Sequence, residues 1–253
     1  MRFLRLSVIA TFLLISIAAL VFTTTYPSAK PTAQDFVPTN KTSGLQILQA
    51  KHVGNELKLS MKNNYPQRIT AYVLTIGNTF RITEDLFTAE PPVEFGIQPQ
   101  HTFERSFTLS PRQLNETVVL QAVVLEDKTG DGDPVIYEDI RDTRLGQAVQ
   151  IKRALKVLEK YADDTPNLES LKTEMLDALS RHESDTLEAV KKIRPLGIIN
   201  RDSDDALSSS VKQGLASGRN GVLTKIDEAK AFPSKKDYLD KMKVYYETLL
   251  NRF

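Results

Sequence analysis

Hydrophobic and polar positions change their period twice along the chain. Leu6 to Phe22 is an apolar run of about seventeen residues without a charge, preceded by Arg2 and Arg5. A run of that length reaches the lower edge of the roughly 17–25 residues a spanning helix needs and exceeds the ~7–15 of a secretory core. Both arginines precede it and the next basic residue is Lys30, so the positive-inside bias places the N-terminus in the cytoplasm and residues 30–253 outside, in a periplasmic or extracellular space. No clean small-x-small pair follows the run. Residues 1–25 are therefore expected to be a membrane-spanning signal anchor, with a cleaved signal peptide and secretion as the alternative. Residues 26–44 carry Pro27, Pro31 and Pro38 among small and polar residues, which reads as a flexible tether.

From Leu45 the period becomes two. Leu57, Leu59 and Met61 alternate with Glu56, Lys58, Ser60 and Lys62, which gives one strand an apolar and a polar face. Asn63-Asn64-Tyr65-Pro66 supplies turn chemistry, and Ile69 to Ile76 is β-branched and aromatic enough for a strand buried on both sides. Phe103, Phe107 and Leu109 alternate again, and Thr117 to Leu125 is the strongest strand of the chain. Short strands separated by Pro, Gly and Asn turns over residues 45–140 predict an antiparallel β-sandwich. The layout resembles the Ig-like modules of exported bacterial proteins, although the chain has neither the Cys nor the Trp of an immunoglobulin core.

Beyond Glu138 the period is helical. Ala148, Ile151, Leu155, Leu158 and Ala162 fall at spacings of three and four, as do Leu168, Leu171, Met175, Leu179 and His182, and then Leu239, Met242, Tyr246, Leu249 and Phe253. Ser203 ahead of Asp204-Asp205 reads as a helix cap. Residues 141–253 are thus expected to form an α-helical bundle or arm, whose narrow stripes need each other, a protein partner or a second copy for burial. The whole chain reads as α+β with segregated halves. Gly214, Gly218 and Gly221 would line one helix face, and the preferred reading is a weak or broken helix rather than close backbone contact.

Composition narrows the chemistry. Without cysteine there is no disulfide framework, thiolate metal site or cysteine nucleophile, so the cores must hold by packing. A net charge of +1 with both signs interspersed gives no field suited to nucleic acid. One loop offers metal chemistry. Laid on the twelve-position calcium loop, residues 127–138 put Asp127, Thr129 and Asp131 at the first, third and fifth places, Gly132 at the sixth and Glu138 at the twelfth, with Asp133 as a further oxygen donor. Thr129 lacks a carboxylate and Pro134 stands where paired loops couple, so a turn leaving strand 117–126 is preferred over a calcium site.

Catalytic constellations are weaker. His52, His101 and His182 are far apart and show no metal-ligand spacing. Ser209-Ser210-Val211-Lys212 and Lys128-Thr129-Gly130 match short motifs of the penicillin-binding and serine β-lactamase families, but in the reverse order. Asp163-Asp164 and Asp204-Asp205 read as helix-start charges. Three function classes follow: a non-enzymatic interaction or scaffolding protein, which is preferred; a calcium-dependent binding module; and an exported hydrolase with an unrecognised site.

Overall fold

The computed structural model describes residues 34–35, 38–77, 80–88, 95–113, 116–161, 167–181, 183–193 and 207–253. The expected leader at 6–22, and with it Asp163-Asp164, His182, Ser203 and Asp204-Asp205, lie outside these residues. Among the described residues nine strands precede the α-helices. They are β1 (Gln34–Asp35), β2 (Thr39–Asn40), β3 (Leu45–Val53), β4 (Glu56–Asn63), β5 (Ile69–Ile76), β6 (Phe80–Asp85), β7 (Thr102–Thr108), β8 (Val118–Leu125) and β9 (Gly130–Gly132). One sheet has the order β1-β3-β4-β7. The other has the order β2-β8-β5-β6, with β9 also pairing β8.

Alternation decides which side chains meet between the sheets. Leu57, Leu59 and Met61 of β4 point inward to Tyr72, Leu74 and Ile76 of β5 and to Val118 and Leu120 of β8. A register shift in β8 opposite Val73 and Leu74 leaves Gln121 unmatched. One unmatched residue reverses the parity of everything after it. Val123 and Leu125 therefore join the inter-sheet core, while Val124 turns to the outer face with Ala71 and Val73. The edge strands β7 and β6 are joined by Arg105, whose Nε donates to both Glu84 oxygens at 3.0 and 2.9 Å, and the Tyr72 hydroxyl of neighbouring β5 donates to Glu84 as well. Burial and the Glu84 charge push the Tyr72 phenol well above its ordinary range.

The helices are α1 (Pro134–Glu159), α2 (Leu168–Leu179), α3 (Glu183–Ile193), α4 (Ser209–Glu228) and α5 (Lys235–Arg252). Asp133 caps α1 by accepting from the Val135 amide, and Pro134 occupies its first turn, where a missing N–H costs nothing. At 26 residues α1 is about 39 Å long. Ile136, Tyr137 and Ile140 cover the outer face of the β5–β8 sheet, Leu145 and Val149 pack on Val190 and Val211, and Ile151 to Leu158 enter a cluster with Leu171, Met175, Ile226 and Met242. The apolar stripes of the helices are buried against one another.

Backbones meet where α1 crosses α4. A Cβ on Gly214 would stand 1.9 Å from the Thr143 carbonyl oxygen, and one on Gly146 would stand 2.3 Å from the Val211 carbonyl oxygen. Close helix contact, and not a broken helix, is thus the role of Gly214. Gly221 meets nothing within 4 Å.

The expected architecture needs correction on three points. No helix among the described residues is long and apolar enough to cross a membrane, so the spanning helix forms no part of the described fold. The sandwich is not purely antiparallel, because β2 runs parallel to β8. The α+β class stands, with strands and then α-helices along the chain, but the helices form no free bundle or arm: α1 begins at Pro134, seven residues before the expected helical boundary, and lies on the sheet. Asp133-Pro134 reads equally as turn chemistry and as a helix start, and only burial against Ala71 and Val73 decides between them. The end of the expected tether is drawn in as well, since Gln34–Asp35 pairs with β3 and Thr39–Asn40 with β8.

Candidate functional site

The residues of the expected calcium loop are placed one by one in separate roles. Asp127 accepts from the Thr129 amide at 3.0 Å, from its hydroxyl at 2.6 Å and from Gln67 Nε2 at 2.8 Å, which closes the turn between β8 and β9. Those bonds hold its carboxyl below the usual carboxylate range. Asp131 accepts from the Ser43 amide at 2.6 Å, the Ser43 hydroxyl at 2.8 Å, the Tyr65 hydroxyl and the Gly132 amide. Burial opposes its ionisation, but these donors outweigh burial and keep the carboxyl depressed. Asp133 is the α1 cap, and Glu138 pairs with Arg141 at 2.5 Å. Gly132 takes φ of 94°, and a Cβ there would lie 2.2 Å from the Gln121 carbonyl, so pairing of β9 with β8 already requires glycine. Among the described residues no three His, Asp or Glu side chains stand together as a metal ion would require.

The other singled-out residues are also dispersed. His52 is buried in β3, where burial lowers its pKa, and His101 is exposed beside β7. Ser208 caps α4 and bonds Asp142, while Ser210 bonds Asp139 at 3.0 Å.

A different set of residues converges where the sandwich meets the helices. Asp85 ends β6 and accepts from the Phe87 amide at 3.0 Å, a local turn that brings Phe87 beneath α1 and α5. Arg144, with a side chain only 5% exposed, reaches from α1 to Asp85 at 2.7 Å, to the Thr70 carbonyl at 2.9 Å and to the Thr70 hydroxyl at 3.0 Å. Its guanidinium lies 4.4 Å from the centre of the Phe87 ring, and the Phe253 ring stands 4.6 Å from the same centre. From α5, Arg252 donates to the Phe87 carbonyl at 3.0 Å and lies 4.2 Å from the Phe95 ring centre, and the Tyr245 hydroxyl donates to the Thr88 carbonyl at 2.7 Å.

No family model, curated protein or solved structure matches this chain.

Above the seam lies a cleft of about 290 Å³. Its apolar wall is Phe87, Val124, Leu145 and Phe253, and its polar wall is Lys128, Arg141, Arg144 and Arg252. Among the described residues no Asp or Glu side chain lines it. Asp85 satisfies Arg144 and Glu138 satisfies Arg141, whereas Lys128 and Arg252 have no ion-pair partner among the described residues. Such a wall attracts an anion. The chemistry available is recognition of an apolar body that carries a negative charge. Sequence reasoning missed this set because its members come from the turn after β6, from β8, the 127–129 turn, α1 and the end of α5. The one available signal was the spacing of Arg141 and Arg144 on a helix whose stripe is otherwise apolar.

Proposed function

We infer that the protein is a non-enzymatic interaction module, and that its partner engages the seam cleft with an apolar side chain adjacent to a carboxylate. The observation that carries this reading is the division of the cleft: aromatic and aliphatic side chains on one wall and four cations on the other, with no Asp or Glu side chain among the described lining residues. Burial of the apolar part supplies affinity, and the Lys128 and Arg252 charges select for the anion. Contacts of Arg144 from α1 and of Tyr245 and Arg252 from α5 with Thr70, Asp85 and the turn after β6 place both walls. Export is part of the proposal, supported by the Arg2, Arg5 and Leu6–Phe22 arrangement. Recovery of the native protein from the cytosolic fraction would refute it.

The binding reading is tested with 4-phenylbutyrate, a minimal aromatic carboxylate, by isothermal titration calorimetry. Twelve heavy atoms at ~0.3 kcal/mol each correspond to about 4 kcal/mol, a Kd near 1 mM. The expected result is binding of the acid, at least tenfold weaker binding of 4-phenylbutanol, and loss of that preference in Lys128→Gln. Lys128 is exposed, so the fold should survive the change. Equal affinity for acid and alcohol, or no binding of either, would overturn the reading.

A further inference from the structure

A second cleft, of about 460 Å³, lies among α1, α2 and α3, and its charges are unevenly matched. Lys152, Arg153, Lys156 and Lys160 come from α1 and its end, Arg181 from the end of α2, and Lys192 from α3. The carboxylates of the same cleft are Glu174, Asp177, Asp185 and Glu188. Glu174 is already held by Lys160 and by the Tyr161 hydroxyl at 2.9 Å. The other five cations have no ion-pair partner among the described residues.

Arg153 is the least comfortable of them. It is half-buried, and among the described residues its hydrogen bonds go to neutral oxygens, Thr186 Oγ1 at 2.9 Å and Gln150 Oε1 at 3.5 Å. Burial first, and then the neighbouring Arg181 charge, lower its pKa, with Asp185 opposing them. A guanidinium has five N–H donors in a planar fork, so most of its capacity here faces the cleft. Arg153 is half-buried with the exposed Arg181 charge beside it, and an anion that joined both would relieve their repulsion.

We propose that this cleft binds a small polyphosphate-type anion, held by the forks of Arg153 and Arg181 and attracted by the lysines on the rim. Asp177, Asp185 and Glu188 repel a single negative charge, so an anion with one charge gains little. Several charges on one compact group gain more from the five unmatched cations than they lose to the three acids. The volume falls within the ~300–1,000 Å³ of small-molecule sites.

The test is calorimetric titration of the folded chain with inorganic pyrophosphate at low salt, repeated on Arg153→Gln and on Arg181→Gln. Arg181 is exposed, so its replacement leaves the fold intact. The expected result is a single site, at least tenfold weaker in each variant, with 4-phenylbutyrate binding at the seam unchanged in both. Absence of pyrophosphate binding to the unmodified chain, unchanged affinity in Arg181→Gln, or acetate binding as tightly as pyrophosphate would each overturn the proposal.

Discussion

Replacing Gly214 by alanine adds one carbon at the point where α4 touches α1. That carbon would lie 1.9 Å from the Thr143 carbonyl oxygen and 2.7 Å from its carbonyl carbon, both backbone atoms that no rotamer change can move. Even close C–H···O contacts keep about 3.3 Å between carbon and oxygen, so the helices must part by more than ~1 Å. A gap of ~0.5–1 Å forfeits a quarter to a half of each dispersion contact, and Leu145 and Val149 of α1 would lose part of their packing on Val211. Overpacking of this kind costs ~1–3 kcal/mol or somewhat more, and the better helix propensity of alanine returns ~1 kcal/mol. We expect a net loss of about 2 kcal/mol. Gly221→Ala, in the same helix with nothing within 4 Å, should gain up to about 1 kcal/mol. Gly218→Ala should fall between them, because its Cβ would meet Gln147 Cα at 3.0 Å and Gln150 Cβ at 3.2 Å. At ~2–4 °C per kcal/mol for a body of this size, differential scanning calorimetry should find Tm lowered by about 4–8 °C for Gly214→Ala and raised by about 2–4 °C for Gly221→Ala. A Gly214→Ala protein that melts at or above the unmodified temperature would refute the close-contact argument.

Three further outcomes are expected. Arg144→Ala should cost about 3 kcal/mol in urea unfolding, because it strands Asp85 and the Thr70 carbonyl and removes the stack on Phe87; a loss below about 1 kcal/mol would show the seam to be incidental. The Asp131 carboxyl is depressed in the folded state, so its contribution is complete above the unfolded value near 4 and fades as pH falls through the lower folded value. The Tm difference between the unmodified chain and Asp131→Asn should therefore be largest at neutral pH and shrink toward pH 3, and a difference independent of pH would contradict the Ser43 and Tyr65 hydrogen bonds as its source. Millimolar calcium should shift Tm by less than about 1 °C, since Asp127, Asp131, Asp133 and Glu138 each already hold a partner within the protein and no three such carboxylates stand together among the described residues; a rise of several degrees would reinstate a site in residues 127–138.

Local periodicity carried much of the fold. The alternation of Leu57, Leu59 and Met61 marks β4, the continuous run from Ile69 marks a strand covered on both faces, and the stripe Leu239, Met242, Tyr246 and Leu249 marks the buried side of α5. In each case burial follows from a repeat that a short window contains. The seam was not legible for the opposite reason. Arg144 is 59 residues from Asp85 and 74 from Thr70, and a charged residue on a helix reads as solvated until the sheet beneath it is known. Gly214 shows the same limit. Its spacing to Gly218 is visible, but its counterpart Gly146 lies in another helix, and without that counterpart a glycine is only a weak helix former. The helix start was displaced because Asp133 and Pro134 suit a turn and a cap equally well.

The most direct test of the account follows backbone amide resonances of the isotopically labelled chain during titration with 4-phenylbutyrate. Saturable shifts should centre on Phe87, Val124, Leu145 and Phe253 and disappear with the uncharged alcohol at the same concentration. Shifts scattered over the surface, or confined to residues remote from the β6 turn and the end of α5, would contradict a recognition site at the junction of sandwich and helices.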